Sequence, residues 1–161
     1  MRSKLDKWFY LVPTLVGVLL IDLGTKAWVA KSFRLGESRP VIEGLFHLTL
    51  VHNRGAAFGM GNTFSKLFFI CVSIVALGYL GFLYYKLDDR EKFSIWGIGL
   101  IMAGAIGNLI DRIQQGYVVD FLDVFIKTYH WPAFNVADSA ITIGAILFGI
   151  DLLCKKKTAA A

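Results

Sequence analysis

This sequence is short of charge. Charged residues make up 18% of its 161 residues, where a soluble domain carries about 25%. The shortage is uneven: it sits in long uncharged runs. The 56% hydrophobic content therefore reads as membrane spans rather than as a large soluble core. Cysteine is nearly missing too. Cys71 and Cys154 share no CxxC spacing and have no histidine nearby, which argues against a disulfide, a thiolate metal site or a cysteine nucleophile. Cys71 falls within an apolar run, where it acts as a small apolar residue. There is no HExxH zinc motif, no GxSxG nucleophile elbow, and no metal-ligand spacing among His47, His52 and His130. Ser139 follows Asp138 without an evident base. No internal repeat, low-complexity stretch or linker divides the chain, and its length suits one domain.

What is present is a set of apolar runs. Spans are expected at about 8–29, 64–85, 93–110 and 138–154, within a single integral membrane domain, 1–161. Arg2, Lys4 and Lys7 before the first run imitate a signal peptide. Asp22 and Lys26 continue its helical pattern, and no small-x-small cleavage site follows, so it reads as a retained span. Gly97, Gly99, Ala103, Gly104, Ala105 and Gly107 in span three, with Gly144 and Gly149 in span four, suit close helix packing.

The net charge is +5, and nine of the seventeen Lys and Arg residues fall in the short segments 1–7, 86–92 and 155–161. That density places both termini in the cytoplasm. No basic surface is interleaved with aromatics, so nucleic acid is not expected as a partner. The outer segments are then about 30–63 and 111–137. In the first, Phe46, Leu48 and Leu50 alternate with His47, Thr49 and Val51, a strand period. Residues 117–125 are also β-prone. The expected fold is a mainly α membrane protein: four transmembrane helices with a small β-sheet on the outer face.

This topology gathers polar groups at one depth. Asp22 and Lys26 end span one; Asn108, Asp111 and Arg112 end span three; Asn135 and Asp138 open span four; Asp120 lies between. Ionisable groups in the hydrocarbon cost about 2.5–3.5 kcal/mol on insertion scales, and persist when paired, hydrated or functional. Asp22 and Lys26 are spaced to pair along a helix. Arg112 is placed to hold a carboxylate or to snorkel. Asp151, four residues before Lys155, reads as a local pair and is left out of the site. Asp123 reads as part of a solvated face. Two aspartates close together share a proton, so that one can activate water and the other protonate a leaving amide. Spacing leaves Asp22, Asp111, Asp120 and Asp138 all open for that pair. It also leaves open a proton-coupled small membrane transporter and a non-catalytic assembly protein. Acids at one face, rather than at the midplane, count against the transporter.

Five stretches narrow the choice. They are Asp22-Leu-Gly-Thr-Lys26, Asn53-Arg-Gly55-Ala-Ala-Phe-Gly59, Gly107-Asn-Leu-Ile-Asp-Arg112, Val118-Val-Asp-Phe121 and Phe134-Asn-Val-Ala-Asp-Ser139. In this order and topology they resemble the lipoprotein signal peptidase (signal peptidase II) family. The resemblance implies an aspartic endopeptidase of the bacterial cytoplasmic membrane, with its site at the outer face. It would cut diacylglyceryl-modified prolipoproteins just before the lipidated cysteine. Asp120 and Asp138 would be the catalytic pair. Asp22, Lys26, Asn53, Gly55, Asn108, Asp111, Arg112 and Asn135 would support the site or bind substrate. The implied partners are lipidated prolipoproteins, membrane lipids and the family inhibitor globomycin; no cofactor or metal is implied, and the chain is expected to act as a monomer. Gly55, Ala56 and Ala57 would leave room for an extended chain or its lipid.

Overall fold

A computed structural model describes residues 6–55 and 66–159, with side chains from 7 to 55 and from 66 to 154. Ala56 to Gly59 of the second motif, the first residues of the expected second span, and the Lys155 side chain expected beside Asp151 lie outside the described residues.

The uncharged runs become four helices: α1 (Asp6–Ser32), α2 (Lys66–Lys86), α3 (Lys92–Gln114) and α4 (Val136–Ala159). Each is long and apolar enough to cross a membrane. Half of the apolar window of α3 is buried, against 6% in α2, so α3 is the central helix and packs on the other three. Glycine makes this possible. A Cβ at Gly97 would lie 2.7 Å from the Gly144 carbonyl oxygen, and one at Gly144 would lie 2.5 Å from that of Gly97. A Cβ at Gly104 would collide with the Ala137 carbonyl. The small residues of α3 and α4 thus let two backbones touch. Gly149, in contrast, meets nothing within 4 Å. α3 also runs a turn past the expected span end at 110, so Asp111 and Arg112 are helical and keep a fixed angular relation to Asn108.

Four strands follow the helical plan at one end: β1 (Ser38–Ile42), β2 (Phe46–Asn53), β3 (Val118–Ile126) and β4 (Tyr129–His130). They form an antiparallel sheet in that order. Val51 pairs with Asp120 and Asn53 with Val118, after an irregularity between Leu48 and Val51. Val119 and Phe121 on β3 and Leu50 on β2 pack with Val29 and Phe33 of α1, which fixes the sheet on the end of the first helix. Backbone bonds from Phe121 (3.0 Å) and Leu122 (2.8 Å) to the Phe134 carbonyl attach the segment before α4 to the same strand.

One expectation needs correcting. Asp123 is not a solvated face: it is 9% exposed, accepts from Thr49 Oγ1 at 3.0 Å and pairs with His130 Nδ1 at 2.8 Å. The cross-strand neighbours supply that polar environment, which a single-strand pattern cannot reveal. Asp151 accepts a hydrogen bond from Ser94 on α3. That contact crosses helices; the expected local partner, Lys155, has its side chain outside the described residues.

Candidate active site

The β3 register brings Asp120 to the start of α4. Asp120 is 1% exposed. Its Oδ2 accepts from Asn53 Nδ2 at 2.8 Å and its Oδ1 from Asn135 Nδ2 at 2.7 Å. Burial first, and then the neighbouring Asp138 charge, push its carboxyl up to about 7. The two asparagine amides, and more distantly Lys26, oppose that shift by favouring the charged form.

Asp138 lies in the first turn of α4. Its Oδ1 accepts from Asn108 Nδ2 at 2.7 Å, and its Oδ2 from the Asn135 backbone N–H at 3.2 Å. The first turn of a helix also favours negative charge. Asn135 is the residue just before α4, fully buried, and touches both acids. It caps the helix by accepting the Asp138 N–H at 2.9 Å. The two aspartates therefore have different environments. One is enclosed in the strand core; the other is held by N–H donors at a helix start and lines a cavity.

That cavity has a volume of about 560 Å³. Asn53, Gly55, Asn108, Arg112 and Asp138 form its polar end, while Trp131, Pro132, Phe134, Ile141 and Ile143 extend an apolar wall along α4. Arg112 lies over the Phe69 ring, 5.2 Å from its centroid, and its guanidinium is 3.5 Å from the carbonyl oxygens of Asn108 and Gly55. Among the described residues it forms no ion pair, so its charge stays directed at the cavity. The apolar wall was not picked out from the sequence. The signal for it was the Trp131-Pro132 step and Phe134 immediately before Asn135. Beside the polar end, His52 stacks on Tyr117 with ring centroids 3.8 Å apart. Burial and then Arg54 hold the imidazole below its usual range.

Three residues expected in the site lie beneath it. Lys26 Nζ is 2.8 Å from Asp22 and 3.0 Å from Asp111, and donates to Asn108 Oδ1 at 3.0 Å. All three are at most 3% exposed. Asp22 also accepts the Ala137 N–H at 2.9 Å, and Asp111 accepts the Val119 N–H at 3.1 Å. This cluster links α1, α3, β3 and α4 behind the two acids; none of its three members lines the cavity. It can position Asn108 and the start of α4, but it does not reach the cavity where a substrate would lie.

Comparisons with known proteins point to one family. Residues 14–154 match the family model described as Signal peptidase (SPase) II. The lipoprotein signal peptidase of Geobacter sulfurreducens is 48% identical over 144 residues, covering 88% of this chain and 90% of that protein. The lipoprotein signal peptidase of Syntrophus aciditrophicus is 46% identical over 144 residues, covering 87% and 89%. A bacterial membrane enzyme solved by the in meso method is similar with a TM-score of 0.86 and 37% identity, over 92% of this chain and 90% of that one. A second such structure gives 0.80 and 38%, over 89% and 92%. With a matching sequence along nearly its whole length and a matching fold, the chain belongs to the signal peptidase II family.

Proposed function

We propose that the chain is an aspartic endopeptidase that cuts diacylglyceryl-modified prolipoproteins just before the lipidated cysteine, with Asp120 and Asp138 as its catalytic dyad. The carrying observation is the unequal pair: Asp120, with a carboxyl at about 7, beside Asp138, which is held by N–H donors and open to the cavity. Such a pair can share one proton, and the raised Asp120 carboxyl is the member that keeps it as pH climbs towards 7.

The chemistry then runs on that shared proton. Asp138 takes a proton from water as the oxygen adds to the scissile carbonyl carbon. Asp120 gives its proton to the carbonyl oxygen, leaving a neutral gem-diol. When the C–N bond breaks, the proton on Asp138 passes to the leaving nitrogen. Asp120 recovers its proton from a gem-diol hydroxyl, and a carboxylic acid and a free amine remain. Asn53, Asn108 and Asn135 orient the two carboxyls, and Arg112 and the Gly55 backbone lie where a peptide carbonyl would pass. Asp22, Lys26 and Asp111 act as supports from beneath.

The cell context follows from the same reading. Four apolar helices in this family make a multi-pass inner-membrane protein. The basic segments 1–7, 86–92 and 155–161 support cytoplasmic termini, which puts sheet and cavity at the outer face. A lipidated substrate stays in the bilayer, and an apolar wall along α4 beside a polar end suits it. The transporter reading loses ground, since Asp138 lines a cavity at a helix end with Asp120 enclosed beside it, rather than the acids marking a path across the membrane.

The test uses purified, detergent-solubilised protein and a lipidated precursor. Asp120→Asn and Asp138→Asn should each reduce cleavage to background. Full cleavage by either variant overturns the dyad.

A further inference from the structure

A second cleft lies at the corner between α1 and β1, away from the two acids. Its volume is about 700 Å³, and Lys31, Phe33, Arg34, Leu35, Glu37 and Arg39 line it. One wall is fixed. Arg39 lies over the Phe33 ring, 4.2 Å from its centroid, donates to the Ser32 carbonyl at 2.8 Å and pairs with Glu37 at 2.7 Å. The Arg34 backbone N–H, and then Arg39, hold the Glu37 carboxyl below its usual range. Among the described residues, the Lys31 and Arg34 side chains have no hydrogen bond or ion pair with the protein. Three cations and one carboxylate leave the cleft two charges positive.

Its position says what it meets. The exposed face of α1 carries Val12, Val16, Leu20 and Ile21, with Asp22 and Lys26 buried, and Trp28, 54% exposed, sits one turn before Lys31, as tryptophan does at a membrane interface. The cleft is therefore at headgroup depth. Val41, Ile42 and Leu45, at the end of the β1–β2 hairpin, are also exposed; an apolar edge beside cations is how a segment lies in an interface. Guanidinium and ammonium groups are strong donors to phosphate oxygens.

We propose that this cleft seats the headgroup phosphate of an anionic phospholipid and so anchors the β1–β2 hairpin on the membrane. The bound phosphate completes the cation excess of Lys31 and Arg34, while Val41 and Ile42 enter the acyl boundary. The hairpin leads directly to Asn53, so the lipid holds one ligand of Asp120 at a set height. The inference rests on membrane insertion and not on the peptidase reading.

Native mass spectrometry of the full chain in neutral detergent tests it, with phosphatidylglycerol and phosphatidylcholine of the same acyl chains as probes. Wild-type protein should retain phosphatidylglycerol over phosphatidylcholine. Lys31→Gln/Arg34→Gln should lose about tenfold of that preference, on the scale of surface cations near anionic lipid. Lys31→Arg/Arg34→Lys should keep it, and so should Lys127→Gln, which removes a cation from the β3–β4 turn. Equal retention of the two lipids by wild type, or an undiminished preference in the Gln pair, overturns the proposal. An equal loss in Lys127→Gln also overturns it, since the attraction would then be diffuse net charge.

Discussion

Asn135 and Asp138 hold each other twice across the first turn of α4: the Asp138 N–H donates to Asn135 Oδ1 at 2.9 Å, and the Asn135 N–H donates to Asp138 Oδ2 at 3.2 Å. This is the reciprocal geometry of a capping box, with Asn and Asp in place of Ser and Glu. One device starts the helix and aims the carboxylate. The Asn135 amide then continues to Asp120 at 2.7 Å, so the cap is also the link between the two acids.

Separating the two duties of Asn135 is possible. Asn135→Ala should cost about 1–2 kcal/mol as a lost cap and slow cleavage by about 10²-fold, the low end for a positioned acid–base group, with KM little changed. Asn135→Ser keeps a capping oxygen but loses the Nδ2 amide that bonds Asp120. Thermal unfolding should recover in the Ser variant while kcat stays low. Recovery of kcat along with stability would reduce Asn135 to a cap alone.

Much of the fold was legible because hydrocarbon is a demanding solvent. Uncharged runs of span length have few other fates, and the alternation from Phe46 to Val51 marked β2. The site was legible only in part. Asp22, Asp111, Asp120 and Asp138 all sit near one depth, and depth is what a sequence pattern conveys. Which of them face the cavity depends on how α3 and α4 are rotated, and that is set by backbone contact at Gly97, Gly104 and Gly144. The roles of Asn135 and Asp123 depend on partners from other strands or helices. The apolar wall at Trp131 to Phe134 depends on Phe134 bonding to Leu122. The glycines were legible as packing residues, but the partner that each of these groups meets has no signature in local spacing.

The pH response carries a sign that can be checked twice. Asp120 must be protonated to act as the acid, so kcat/KM should fall as pH rises through about 7. Asn53 favours the charged carboxyl, so Asn53→Ala should move that alkaline limb to higher pH. Stability follows the same titration. The folded carboxyl sits above the ordinary aspartate value of 3.8, so the native state binds the extra proton between those values. The wild-type stability should therefore fall, relative to Asp120→Asn, as pH climbs from about 4 to about 7, and level off above that. A pH-independent difference in thermal unfolding between the two proteins would place the proton elsewhere.

Packing against Asp22 makes Gly107 intolerant of even one methyl. A Cβ there would lie 2.5 Å from Asp22 Oδ2 and 3.4 Å from the Ala137 Cβ. Asp22 cannot yield, because Lys26 and the Ala137 N–H hold its two oxygens. Gly107→Ala should lose about 1–3 kcal/mol, as overpacking does. Gly149→Ala, with open space around it, should be neutral or gain up to about 1 kcal/mol from helix propensity. Thermal melts of the two variants in one detergent make the comparison.

The cation at the centre of the buried cluster is the most informative charge to remove. Lys26 is 3% exposed and serves Asp22, Asp111 and Asn108 at once. Lys26→Met leaves two buried carboxylates without a cation, and breaking a buried pair costs about 3–5 kcal/mol. Lys26→Met/Asp22→Asn/Asp111→Asn should recover much of that loss. It removes every charge from the cluster, and both asparagines can still accept the Ala137 and Val119 N–H groups through Oδ1. Thermal unfolding ranks the three proteins. If Lys26→Met alone melts with the wild type, the ion pairs add nothing net, and the cluster acts as a hydrogen-bonded network rather than an ionic one.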